Sequence, residues 1–141
     1  MGQIIPATRR VVYACMLTAS PALAEPVYTV SIQCFQDVVE ICKGVVARRR
    51  GQVLGEEKRS GLLMVHLKAF ISVRESLGLA TELRDATGGK AFCSYVLDHY
   101  QVMAGDPTDA SSPSGSVVRS IRVRKGLQPE VPPLDRFLDR L

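Results

Sequence analysis

Three consecutive arginines, Arg48, Arg49 and Arg50, are the densest positive charge in the chain. At a helix end, cations complement the C-terminal dipole, which explains one or two of them. Three in a row at a helix-to-strand corner also make a compact phosphate-binding site. A second set, Arg84 with Thr87-Gly88-Gly89-Lys90, joins cations to a helix end and a tight loop that could approach a nucleic-acid backbone closely. Both sets point to contact with RNA.

Catalysis finds less support. His66 and His99 are the only histidines, and His99 follows Asp98 directly. Neighbours on one strand point to opposite faces, so Asp98 and His99 are expected not to form an acid–base relay. His66 shares a strand face with Lys68 and reads as a sheet-edge hydrogen-bonding residue. No serine or cysteine comes with a convincing base. Cys15, Cys34, Cys42 and Cys93 show no zinc spacing and read as reduced thiols, with Cys42 on a helix stripe. No GxxxxGK[ST] occurs, so no phosphate-cradling loop is present. The chain is expected not to be an enzyme, with no catalytic residue, no metal and no cofactor.

The elements that must position the cations run from Pro26 to Asp106. Residues 26–33 alternate, sending Tyr28, Val30 and Ile32 to one face and Thr29, Ser31 and Gln33 to the other. Asp37 to Arg49 switches to helical spacing, with Val38, Val39, Cys42, Val45 and Val46 on one stripe. Gln52 to Glu57 predicts a second strand, residues 58–61 a turn, and Leu62 to Ile71 a third strand. Ser72-Val-Arg-Glu75 is a capping box that opens a second helix, burying Leu79, Ala80, Leu83 and Ala86 and ending at Gly88-Gly89. Ala91 to Met103 is the fourth strand. This order predicts an α+β fold, the ferredoxin-like split βαβ sandwich, with four antiparallel strands and two helices on one face. Its open sheet face, with Thr29, Ser31, Gln33, His66 and Lys68, offers no stacking aromatic pair of the RNA-recognition type.

Flanking pieces account for the rest of the 141 residues. Met1 to Ala24 fits either a secretory leader with an Ala22-Leu-Ala24 cleavage site or an amphipathic helix carrying Val12, Cys15, Met16 and Ala19 on one face. Residues 109–116 form a Ser/Pro/Gly linker. Val117 to Lys125 predicts a basic helix with Val117, Val118 and Ile121 inward, stopped by Gly126. Leu134, Phe137, Leu138 and Leu141 make a last apolar stripe. A net charge of +4 and a 46% hydrophobic content suit a packed domain with a mild preference for anionic partners. No apolar run is long enough for a membrane span.

Whole segments resemble the C-terminal region of eukaryotic elongation factor 2, from the translational GTPase superfamily. The likeness is carried by Gly2-Gln-Ile-Ile-Pro6, Arg9-Arg-Val11, Glu25-Pro-Val-Tyr28, Ile32-Gln-Cys34, Arg48-Arg-Arg-Gly51 and Leu83-Arg84. It continues in Thr87-Gly-Gly89, Asp98-His99, Gly105-Asp-Pro107, Arg124-Lys-Gly-Leu127 and the ending Leu134-Asp-x-Phe-Leu-Asp-x-Leu141. Among the departures, Lys43 stands at a tyrosine position and Asp85 at a small polar one, altering surface charge.

The resemblance implies that residues 1–25 are the terminal helix of domain IV, 26–106 are domain V, and 107–141 are a linker and tail returning to domain IV. It implies a ribosome-contacting, cytoplasmic piece of a translocation factor whose GTP and magnesium are held elsewhere in the full-length family. The implied partner is the large ribosomal subunit, at its sarcin–ricin loop and stalk-base RNA, with no membrane and no small-molecule substrate. That favours the Arg84–Lys90 set as the contact. Two alternatives stand beside it: the related spliceosomal GTPase, which shares Arg9-Arg-Val-Val-Tyr13, and an unrelated secreted disulfide domain. The ending at residues 134–141 favours the elongation factor.

Overall fold

In a computed structural model of the chain, residues 4–58 and 63–138 are described. Of the turn expected at residues 58–61, residues 59–61 lie outside them, as do the strand start at Leu62 and Leu141 of the last apolar stripe, while Lys58 closes the second strand. The chain divides into two compact units: Glu25–Gln101, and Met1–Ala24 with Val102–Leu141.

The first unit is the ferredoxin-like sandwich. Strands β1 (Ala24–Phe35), β2 (Gln52–Lys58), β3 (Met64–Ser72) and β4 (Ala91–Val102) form one sheet in the order β2-β3-β1-β4. Antiparallel register sets Val30 opposite Ala69, Ile32 opposite Leu67 and Cys34 opposite Val65. All six are buried, so the inward sets of both central strands meet in register. A 3-10 turn (Gln36–Val38) leads into α2 (Val39–Arg48), and Val38, Val39, Cys42, Val45 and Val46 complete the core as the spacing predicts. Each such aliphatic side chain contributes about 1.5–3 kcal/mol by leaving water. Strand β2 is exposed along its whole length, and its pairing to β3 shifts register between Val53 and Gly55.

The second helix departs from expectation. Ser72 does cap it, accepting from the Glu75 amide at 3.4 Å, but the helix so opened, α3 (Val73–Ser76), lasts one turn. Leu77 is extended and Gly78 is left-handed at φ 78°, after which α4 (Leu79–Thr87) begins. Glycine supplies that conformation without a Cβ penalty. The break leaves carbonyls at the end of α3 without helical partners, and the Arg49 guanidinium donates to two of them, Glu75 at 2.8 Å and Leu77 at 2.6 Å. Leu79 and Leu83 are fully buried, whereas Ala80 and Ala86 are exposed and Ser76 and Thr87 are buried in their place. The restart at Gly78 rotates the helix, so its inward stripe is set by Leu79, Leu83 and Thr87.

The second unit holds α1 (Ile4–Thr18) and α5 (Pro113–Arg124). No residue of α1 is buried: Val12, Cys15 and Met16 are exposed and Ala14 and Leu17 half-buried. Tyr13 meets Phe137 of the tail, ring centroids 5.4 Å apart. Met16, Leu17, Leu127 and Val131 line an apolar groove of about 480 Å³ in this unit. The run expected as a loose linker is instead a knitted turn. Asp106 accepts from the Thr108 amide, Asp109 from the Ser111 amide, and Ser112 caps α5 through the Gly115 amide. The helix thus starts at Pro113 rather than Val117, because proline needs no amide partner in a first turn. Ser114 and Gly115 are buried there, and Val117, Val118 and Ile121 are half-buried.

Candidate nucleic-acid interface

Arg48, Arg49 and Arg50 do not form one phosphate site. Arg48 and Arg49 converge on Glu82 of α4, at 3.0 Å and 2.6 Å. Arg49 also donates to the two carbonyls at the end of α3, so its guanidinium is consumed in holding α2 to the α3–α4 break. The two guanidinium groups, Arg49 foremost, hold the Glu82 carboxyl below its ordinary range. Arg50 stands apart. Its backbone is left-handed, φ 57°, and it terminates α2: the Arg50 amide donates to Ala47 and the Gly51 amide to Val46. Arg50 is exposed, and among the described residues its side chain takes part in no hydrogen bond or ion pair.

The second set gathers at the end of α4. Gly88 and Gly89 are both left-handed, φ 61° and 83°, and the Gly89 amide donates to the Arg84 carbonyl at 2.8 Å. Both glycines are exposed, with open space where a Cβ would stand, so their backbone can be approached closely. Arg84 is exposed, without a side-chain partner among the described residues. Thr87 is turned inward, 5% exposed, its hydroxyl donating to the Leu83 carbonyl at 2.6 Å. Its side chain is spent on packing and on closing its own helix. Lys90 pairs with Asp37 at 2.5 Å, which depresses the Asp37 carboxyl below its ordinary value. Both line a recess of about 620 Å³ with Phe35 and Leu63. Of the five residues, Arg84, Gly88 and Gly89 remain open to a partner, and Lys90 is shared with Asp37.

Asp98 and His99 correct the expectation from strand alternation. They bond directly, His99 Nδ1 to Asp98 Oδ2 at 2.7 Å, and Thr29 donates to the other carboxylate oxygen at 2.8 Å. The period of two, kept from Ala91 to Val96, lapses where Val96, Leu97 and Asp98 are exposed in succession, and the His99 and Phe70 rings stand at 79° with centroids 5.2 Å apart. Where the alternation lapses, neighbouring side chains need not diverge. His99 and Thr29 together hold the Asp98 carboxyl below its ordinary value. No serine or cysteine bonds to this histidine among the described residues.

All four cysteines are free thiols. Cys34 and Cys42 are buried, and burial pushes the Cys42 thiol up to about 12. Cys93 lies 3.1 Å from the Tyr95 hydroxyl. No cluster of three potential metal ligands occurs among the described residues, and no described helix is long and apolar enough to cross a membrane. The sequence holds no GxxxxGK[ST] phosphate loop.

Glu25, Gln52, Glu75 and Gln101 line a recess of about 210 Å³ with Arg50 and were not singled out in the sequence. The one signal for it is the order Arg50-Gly51, which puts the left-handed helix end on an arginine. The family described as elongation factor G C-terminus matches residues 22–111, which include both cationic sets.

Proposed function

The chain belongs to the elongation factor G C-terminus family, and from that membership we propose that it is the ribosome-contacting part of a translational GTPase of the elongation factor 2 type. The observation that carries the reading is the exposed end of α4, where Arg84 and the Gly88-Gly89 backbone lie open inside the family match. A cation without an internal partner beside side-chain-free backbone suits a phosphate chain. The partner is the large ribosomal subunit at its sarcin–ricin loop and stalk-base RNA, met in the cytoplasm. Residues 1–25 and 107–141 then belong with the neighbouring domain IV. The ending at residues 134–141 supports the elongation factor over the spliceosomal relative. The chain itself carries no GTPase chemistry in this reading.

Co-sedimentation with purified large ribosomal subunits tests it. Binding should be salt-sensitive and weakened by Arg84→Ala, the salt slope falling by about one unit or slightly less for each phosphate left unneutralised. Replacing Arg84 and Lys90 with alanine and seeing neither affinity nor slope change would remove this surface as the contact.

A further inference from the structure

We propose that the recess beside Arg50 is a pocket for a single unstacked guanine of RNA. The inference rests on the ribosomal reading above and names a base-reading subsite within it. Arg50 is the starting point because its conformation is costly. A left-handed backbone crowds any side chain with a Cβ, and the position usually falls to glycine. Here the glycine comes one residue late. At Gly51 a Cβ would stand 2.6 Å from Val46 Cγ1 and 3.1 Å from the Phe70 carbonyl, so that position is closed to side chains. The left-handed position therefore carries an arginine whose guanidinium has no partner among the described residues.

The lining says what could meet it. Glu25 and Glu75 bring carboxylates, Gln52 and Gln101 bring amides, and Phe70, whose ring stands at 79° to that of His99, is the aromatic residue of the lining. Two carboxylates disfavour a bare phosphate, and Arg50 disfavours a bare cation. A ligand with acceptors on one edge and donors on the next satisfies both. Guanine is such a ligand: O6 and N7 accept two hydrogen bonds from an arginine fork. Its N1–H and N2–H groups are donors suited to a carboxylate. Adenine reverses the match, turning an amino group toward the arginine and a bare N1 toward the carboxylate. A volume of about 210 Å³ admits one base and no base pair. Sequence-specific reading of RNA works on splayed-out bases of this kind, held by stacking and by their polar edges.

The test uses the full 141-residue chain and fluorescein-labelled uridine hexamers carrying one central guanine or one central adenine. Fluorescence anisotropy should show the guanine strand bound roughly tenfold tighter, the lower end of what one arginine fork gives. Arg50→Gly removes the guanidinium and relieves the backbone. It should melt no lower than the parent and bring the two affinities together. Arg50→Lys keeps the charge without the fork and should also lose the preference. Equal affinities in the parent, or a preference that survives Arg50→Gly, would overturn the pocket. If the preference is absent while binding to large subunits stays dependent on Arg84, the pocket fails and the ribosomal reading stands. If the preference holds but large subunits are not bound, the ribosomal reading fails alone. Binding to neither overturns both.

Discussion

Arg49 Nε lies 2.6 Å from Glu82 Oε2, and the same guanidinium reaches the carbonyls of Glu75 and Leu77. One side chain thus joins the end of α2, the first turn of α4 and the open end of α3. Arg49 is 22% exposed at its side chain, so its hydrogen bonds are only partly screened by water.

Arg49→Ala should accordingly destabilise the protein by about 1–3 kcal/mol, since it leaves two carbonyls without a charged donor and Glu82 with only the exposed Arg48. Arg48→Ala should cost under about 1 kcal/mol, because its pair with Glu82 is solvent-exposed. Urea melts of the two variants check this. Equal destabilisation would show that Arg49 has no special part in the fold.

Stability should fall with acid through Glu82. Its folded carboxyl is held below the ordinary value of 4.5 by Arg49 first and Arg48 second. A depressed folded value means that the unfolded chain takes up the proton first. The contribution is whole above about pH 4.5 and is lost as pH falls through the lower folded value. Asp37 beside Lys90 and Asp98 beside His99 act with the same sign. Glu82→Gln should flatten the melting curve below pH 4.5 relative to the parent. An unchanged acid slope in that variant would count against the Arg49–Glu82 pair.

Gly51→Ala should destabilise by about 1–3 kcal/mol through overpacking. The added methyl would meet Val46 Cγ1 at 2.6 Å and backbone oxygens of Val46 and Phe70 at 3.0–3.1 Å. Gly44→Ala, with open space around its Cβ, should instead stabilise α2 slightly. Thermal melts that rank the two the other way would contradict the packing at this corner.

Hydrogen exchange should separate the two units. Glu25–Gln101 has its own buried core, and amides of β1, β3 and α2 should be protected in that segment expressed alone. Amides of α1, which buries no residue, should exchange quickly in the full chain. Equal protection in α1 and β1 would mean that α1 is covered by something beyond its own unit.

Much of the sandwich was legible in the sequence because its central elements obey one period each. The alternation through Val30 and Ile32 and the stripe through Val39, Cys42 and Val46 name the core directly. The break at Gly78 was not legible. Glycine inside a helix costs only about 1 kcal/mol, so the local signal permits a continuous helix from Ser72. Arg49 changes that balance from 28 residues away by capping the Leu77 carbonyl. The cationic sets were visible as composition but not as roles. Whether Arg48, Arg49 or Arg50 turns to solvent depends on Glu82, and sequence distance conceals that meeting. Asp98 and His99 show the limit of period-two reasoning, which fails wherever a strand loses its alternation.

The four thiols also decide how this protein can be handled. Cys34 and Cys42 lie at 0% exposure, and a thiol pushed up to about 12 offers almost no thiolate at neutral pH. Cys93 is half-covered and engaged with Tyr95, whereas Cys15 stands exposed on α1. A maleimide dye added briefly to the native protein would therefore settle on α1, leaving the sandwich and both cationic sets unmodified. The chain comes with its own attachment point for a fluorescent reporter, and the proposed binding to ribosomes can be tested without engineering a cysteine.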